Sequence, residues 1–223
     1  MLYLCISDIQ GNLDALRAVM ATAERRSFSK LLVAGDLVFP GPEPLETWRR
    51  LNAAGAILVQ GVTDRALSAL DPKALKPETD RERQLRDRFV AVREALGDVI
   101  LERIRRLPPF VRLPLEDGTE MVLVHGSPHD HQVAMSHDMT DEELLALVGD
   151  DPASLVVCGM SHVPFDRTVA DVRIVNVGSV GDAPDGLGGS GGPVLKPRIA
   201  HATWIESRPG SLTVEQVHIP LDS

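Results

Sequence analysis

Five short blocks of the chain set acidic, amide or imidazole side chains directly behind a run of apolar residues, and each block contains or adjoins a glycine. Asp8 and Gln10 follow Leu2 to Ser7, and Gly35-Asp36 follows Leu31 to Ala34. Gly61-Val62-Thr63-Asp64 follows Ala56 to Gln60, His125-Gly126 follows Thr119 to Val124, and Gly159-Met160-Ser161-His162 follows Leu155 to Cys158. Alone, an aspartate behind a strand is usually a turn former or a cap, and one histidine is usually a satisfied structural residue. Five blocks placed alike imply convergence, because α/β sheets build their sites outside the carboxyl ends of their strands. Carboxylates and imidazoles gathered there make a ligand set for a hard or borderline divalent cation such as Mn, Mg, Zn or Fe.

The elements that must position these groups can be read from periodicity. Asn12 is placed as an N-cap, and Leu13, Leu16, Val19, Met20 and Ala23 recur at helical spacing up to Arg25-Arg26. A second helix from about Glu43 to Ala54 stops at Gly55. Between Arg81 and Arg106, Leu85, Phe89, Val92, Leu96, Ile100 and Ile104 line one face of a long surface helix, with charged residues on the other. Phe110 to Leu115 and Thr119 to Val124 flank Glu116-Asp117-Gly118 as a hairpin. Strands follow at Leu155 to Cys158, Asp166 to Ala170, Val172 to Val175, His201 to Ile205 and Leu212 to His218. Apolar strands alternating with amphipathic helices define an α/β fold, with two mixed sheets packed as a sandwich and helices outside.

Residues 1–223 suit one domain with a single core. Asp182 to Pro197 is rich in glycine and proline and reads as a mobile surface loop. Within it, Gly186 to Gly191 spells a dinucleotide fingerprint, and Gly188 to Gly192 spells a nucleophile elbow around Ser190. Neither has the strand before it and the helix after it that its chemistry needs. A net charge of -9 argues against nucleic acid, whose affinity rests on Lys and Arg neutralising phosphates, and leaves a small phosphorylated substrate or ligand as the expected partner. No run approaches the roughly 20 apolar residues of a membrane span. The amino terminus lacks the features of a secretory leader. Cys5 and Cys158 sit in apolar runs as small core residues, which points to a reduced, cytoplasmic setting. A homo-oligomer is compatible with all of this.

The order of the motifs resembles the calcineurin-like metallophosphoesterase superfamily, in its small bacterial and archaeal phosphodiesterase branch. The resemblance is carried by SDIQGN at Ser7 to Asn12, VAGDLV at Val33 to Val38, VHGSP at Val124 to Pro128, CGMSHVPF at Cys158 to Phe165 and NVGSVG at Asn176 to Gly181. It implies two metals bridged by Asp36, the first held by Asp8, Gln10, Asp36 and His162. Gln10 stands where the family has His. The second would use Asp36, His125 and the positions of Val62 and Met160, where the family has Asn and His; valine has no lone pair, and a thioether is a soft ligand. Thr63 occupies the place of the family's catalytic His and cannot act as a near-neutral acid.

The implied cofactor is one divalent metal rather than two, Mn or Mg ahead of Zn or Fe, with Thr63 and Ser179 as phosphate donors. The implied activity is weak metal-dependent hydrolysis of a phosphodiester or phosphomonoester. Its alternative is an inactive member that serves as a binding, sensing or assembly module. His129, His131 and His137 lie just behind His125 and could supply a missing ligand or acid, although neighbouring Asp130 and Asp138 suit a solvated loop better.

Overall fold

The computed structural model describes residues 1–184 and 198–221. Nearly all of the Gly/Pro-rich segment, with its two glycine motifs, lies outside them. In chain order the elements are β1 (Leu2–Ile6), α1 (Leu13–Glu24), β2 (Lys30–Val33), α2 (Pro44–Ala53), β3 (Ile57–Leu58), α3 (Val62–Ala69), a 3₁₀ turn (Pro72–Ala74) and α4 (Asp80–Arg105). The second half follows as β4 (Phe110–Pro114), β5 (Glu120–Val124), α5 (Asp141–Val148), β6 (Leu155–Cys158), β7 (Phe165–Val169), β8 (Val172–Asn176), β9 (Ile199–Arg208) and β10 (Ser211–Pro220).

Two five-stranded sheets result, ordered β10-β9-β1-β2-β3 and β4-β5-β6-β8-β7. Both are mixed: β1, β2 and β3 run parallel in one, as do β5, β6 and β8 in the other, with antiparallel strands at their flanks. The period-2 alternation of strand side chains explains why the central strands read as continuous apolar runs. In β1, Tyr3 and Cys5 enter the layer between the sheets, while Leu4 and Ile6 join the core under the helices with Leu16, Trp48 and Phe89. In the second sheet, Met121, Leu123, Leu155 and Val157 face the first. Val122, Val124, Val156 and Cys158 turn outward to Leu144 and Val148 of α5.

The sandwich with outer helices is as the sequence predicts; the differences are local. The long helix is interrupted at Gly97, where φ is 70° and ψ is 165°. That break resets the helical phase, so Leu101 and Ile104 are buried. Leu85, expected on the buried face, is 52% exposed. Helix α5 was not anticipated, although Thr140 and Glu143 form a reciprocal capping box at its start. Strand β9 is twice the expected length, because all ten of its residues pair with β10. Cys5 and Cys158 are free and fully buried, and burial pushes the Cys158 thiol up to about 12.

One buried imidazole ties β9 to the loop after β8. The Ser179 N–H donates to His201 Nδ1 at 3.2 Å, so the ring must accept there, and its pKa falls to about 4 through burial and the neighbouring His218. A depressed His pKa gives stability that is complete above about 6.5 and is lost as pH falls toward 4. We expect His201→Asn to flatten this acid-side loss by on the order of 2 kcal/mol, read as the change in urea unfolding free energy between neutral and acidic pH. An identical pH dependence in parent and variant would show that His201 carries none of it.

Candidate functional site

The carboxyl ends of the two parallel strand sets are stitched into one edge by the backbone. Asp8 N–H donates to Gly35 O at 3.0 Å, Gly159 N–H to His125 O at 3.0 Å, and Val180 N–H to Ser7 O at 3.0 Å. His125 crosses between the sheets, with Nδ1 2.6 Å from Ala34 O. Because a carbonyl can only accept, Nδ1 carries a proton, and Nε2 presents a lone pair when the ring is neutral, although the Asp36 and Asp8 charges outweigh burial and raise its pKa.

That lone pair belongs to a cluster. One ligand atom each from Asp8, Asp36 and His125 lies within 4.8 Å of the others, and all three residues are buried. His125 Nε2 is 3.5 Å from Asp36 Oδ1. His162 Nε2 is 3.2 Å from Asp8 Oδ1 and 3.3 Å from Gln10 Nε2, so Gln10 and His162 adjoin the cluster on the Asp8 side. Of the positions expected to hold a metal, the structure therefore gathers Asp8, Gln10, Asp36, His125 and His162 at one edge. His125 Nε2 is buried and makes no hydrogen bond, and the buried Asp8 Oδ1 has only its ion-pair contact with His162 Nε2. Inward-facing donors without a full set of partners are what a divalent cation needs, so this donor set fits one.

The backbone is bent to achieve this. Asp8, Gln10, Asp36, Met160 and His162 all hold positive φ, between 52° and 67°. Such conformations cost non-glycine residues free energy and concentrate at functional sites. The bends also aim backbone N–H groups: Met160 N–H donates to Asp8 Oδ2 at 3.0 Å and Thr63 N–H to Asp36 Oδ1 at 2.9 Å.

The charges do not balance without help. Burial raises the Asp8 pKa, but His162, His125 and the Ser7 hydroxyl outweigh it, and the net shift is downward. Asp36 is pushed up by burial and the Asp8 charge, against the pull of His125. Asp64, beneath them, rises to about 7 through burial and the Asp36 charge, although it accepts N–H groups from Gly61 and Leu37. Burial opposes protonation of His162, yet Asp182 and Asp8 lift it to about 10.

Other expected residues fall elsewhere. Val62 and Thr63 open α3 beside Asp36, and the buried Thr63 Oγ1 has no hydrogen-bond partner. The Ser179 hydroxyl donates to Asp8 O at 3.0 Å and accepts from Asp182 N–H, which makes it a fastener of the Asp8 bend. His129 N–H is tied to Leu147 O, and the His131 ring lies against Phe110, 5.6 Å between centroids. Sequence reasoning missed Asp182, whose carboxylate is 3.3 Å from His162 Nδ1; its signal was its position right behind the NVGSVG block. Asp64 caps the start of α3 through the Gly61 N–H and also accepts from Leu37 N–H, which ties the two turns together.

A two-sheet sandwich with a buried carboxylate and imidazole cluster at its carboxyl edge is a scaffold suited to a divalent cation. A family model for the calcineurin-like phosphoesterase superfamily domain matches residues 1–191, and the chain belongs to that superfamily. Among solved structures, a hypothetical protein from Pyrococcus horikoshii superposes with a TM-score of 0.82 at 19% identity, covering 99% of this chain and 88% of that one. A metallophosphoesterase from Sphaerobacter thermophilus gives 0.71 at 24% identity, covering 98% and 89%. An archaeal phosphodiesterase gives 0.52 at 13% identity, covering 97% and 100%. These likenesses show the shared fold. No curated protein matches the chain. No helix among the described residues is long and apolar enough to cross a membrane.

Gly61 permits the close approach of α3 to Asp36: a Cβ there would lie 2.1 Å from Asp36 Oδ1 and 2.2 Å from Asp36 N. Gly61→Ala must displace backbone, and we expect a loss of about 1–3 kcal/mol in urea unfolding. Unchanged stability would mean that the turn relaxes freely and does not position Asp36.

Proposed function

We propose that this protein is a divergent metal-dependent phosphoesterase that slowly hydrolyses a small phosphodiester or phosphomonoester. The observation that carries the reading is the buried Asp8, Asp36 and His125 cluster, with His125 Nε2 left without a hydrogen bond. In the proposed assignment Asp8, Gln10, Asp36, His125 and His162 hold one divalent cation, Mn or Mg in preference to Zn or Fe, since carboxylate and amide oxygens dominate the set. When bound, the cation supplies positive charge for the phosphoryl oxygens and acidifies the attacking water. A relative described as a metallophosphoesterase and one described as an archaeal phosphodiesterase support the reaction class. Two buried free cysteines support a reducing, cytoplasmic setting.

The chain's own groups prepare the site. Ala34 O fixes the His125 tautomer, Thr63 N–H orients Asp36, and Met160 N–H orients Asp8. In hydrolysis the water oxygen forms a bond to phosphorus, the ester P–O bond breaks, and the departing alcohol oxygen takes a proton. Thr63 stands where an imidazole acid would serve, and a hydroxyl does not donate that proton near neutral pH. The proton comes from solvent, so turnover depends steeply on the acidity of the leaving alcohol.

Replacement of potential ligands by Val62 and Met160 favours a second reading, in which the site binds a phosphorylated ligand without turning it over. Turnover of an aryl phosphodiester with added Mn separates the two. We expect measurable hydrolysis that Asp36→Asn abolishes, and a gain of about tenfold or more in Thr63→His, most marked for alkyl esters. Turnover that is absent in the parent and in Thr63→His alike would contradict the enzymatic reading.

A further inference from the structure

An apolar cleft of about 340 Å³ opens beside the metal-site edge and shares Thr63 with it. That volume is within the range of small-molecule sites. Its walls come from three elements. Thr63, Ala66 and Leu70 lie three and four residues apart along α3 and its C-cap, on one helical face. Leu75 follows the 3₁₀ turn, and Leu85 and Phe89 form an i, i+4 pair on α4. Phe39, in the turn after Asp36, closes the end with its ring edge-on to Phe89, 5.8 Å between centroids.

This cleft explains two residues that the fold leaves exposed. Leu70 and Leu85 are 47% and 52% accessible, and both face it. Of its polar neighbours, Glu82 accepts the backbone N–H groups of Glu78 and Thr79 and Arg86 is paired with Asp87, while Lys76 brings one cation to the wall. The rest of the wall is hydrocarbon, and Thr63 joins it to the metal-site edge through its N–H bond to Asp36. A nucleoside or sugar would strand its own polar groups there, at a cost in affinity. An aromatic or branched hydrocarbon would not.

We propose that the cleft is the leaving-group subsite and selects phosphoesters of an apolar, preferably aromatic, alcohol. The inference rests on the metal-site reading above, and two independent features converge on it. The walls select hydrocarbon, and the missing imidazole acid selects an acidic leaving alcohol, which a phenol is. The turn that carries Asp36 runs on into Phe39, so the phosphoryl site and the cleft are linked by three residues of chain.

The test is calorimetric binding to the Mn-supplemented full chain, with inorganic phosphate, methylphosphonate and naphthylphosphonate as non-hydrolysable probes. We expect naphthylphosphonate to bind about tenfold or more tightly than methylphosphonate. In the double variant Leu70→Gln with Leu85→Gln, both sites being half-exposed and tolerant of polarity, that preference falls to about threefold or less while phosphate affinity holds. Phosphate binding without aryl preference in the parent, or a preference that survives the double variant, overturns the leaving-group assignment alone. A parent that binds none of the three probes overturns the phosphoester reading, and the subsite with it.

Discussion

Like charge buried at one edge is the constraint on which the rest of this structure depends. Asp8, Asp36 and Asp64 are the buried carboxylates among the described residues; the first two lie in the turns behind β1 and β2, and Asp64 lies in the first turn of α3 behind β3. Moving a carboxylate out of water costs several kcal/mol unless charge or hydrogen bonds compensate. The chain compensates with His125, His162 and backbone N–H groups from Leu37, Gly61, Thr63 and Met160. Asp36 and Asp64 are still pushed above the ordinary carboxylate value while Asp8 is drawn below it. A cation bound at this edge would favour the ionised carboxylates.

The fold serves this arrangement by making the edge stiff. Parallel strands buried on both faces leave little freedom in β1, β2, β5 and β6, so the residues directly behind them are placed by the sheets rather than by flexible loops. Positive φ at Asp8, Gln10, Asp36, Met160 and His162 then turns each side chain or N–H inward. The strain is sustained by cross-links such as Ser7 Oγ to Ala34 O, 2.9 Å, and the Asn176 amide to Gly159 O, 2.5 Å. Glycines appear where backbones must touch: a Cβ on Gly159 would sit 2.0 Å from Ser7 Oγ.

Much of this was legible in the sequence because apolar runs followed by polar residues mark strand ends whatever the topology. The sandwich and the gathering of Asp8, Gln10, Asp36, His125 and His162 follow from that signal together with the motif order. What was not legible depends on phase and on contacts across the chain. Leu85 fits the helical pattern of its neighbours and shares a face with Phe89, but that face opens there onto a cleft instead of a packed partner. Asp182 and Asp64 act through His162 and through two turns distant in sequence, which no local window contains. Ser179 was read as a phosphate donor from its block, whereas its hydroxyl holds the Asp8 backbone.

The central claim is that the buried carboxylates and His125 form a working cation site despite the substitutions at positions 10, 62 and 160. Calorimetric titration of chelator-treated protein with Mn tests it most directly. The account predicts saturable binding near one equivalent per chain, accompanied by proton release and lost in Asp36→Asn. No detectable heat and no protection against unfolding at millimolar Mn would contradict it, and would mean that the edge balances its charge with protons alone.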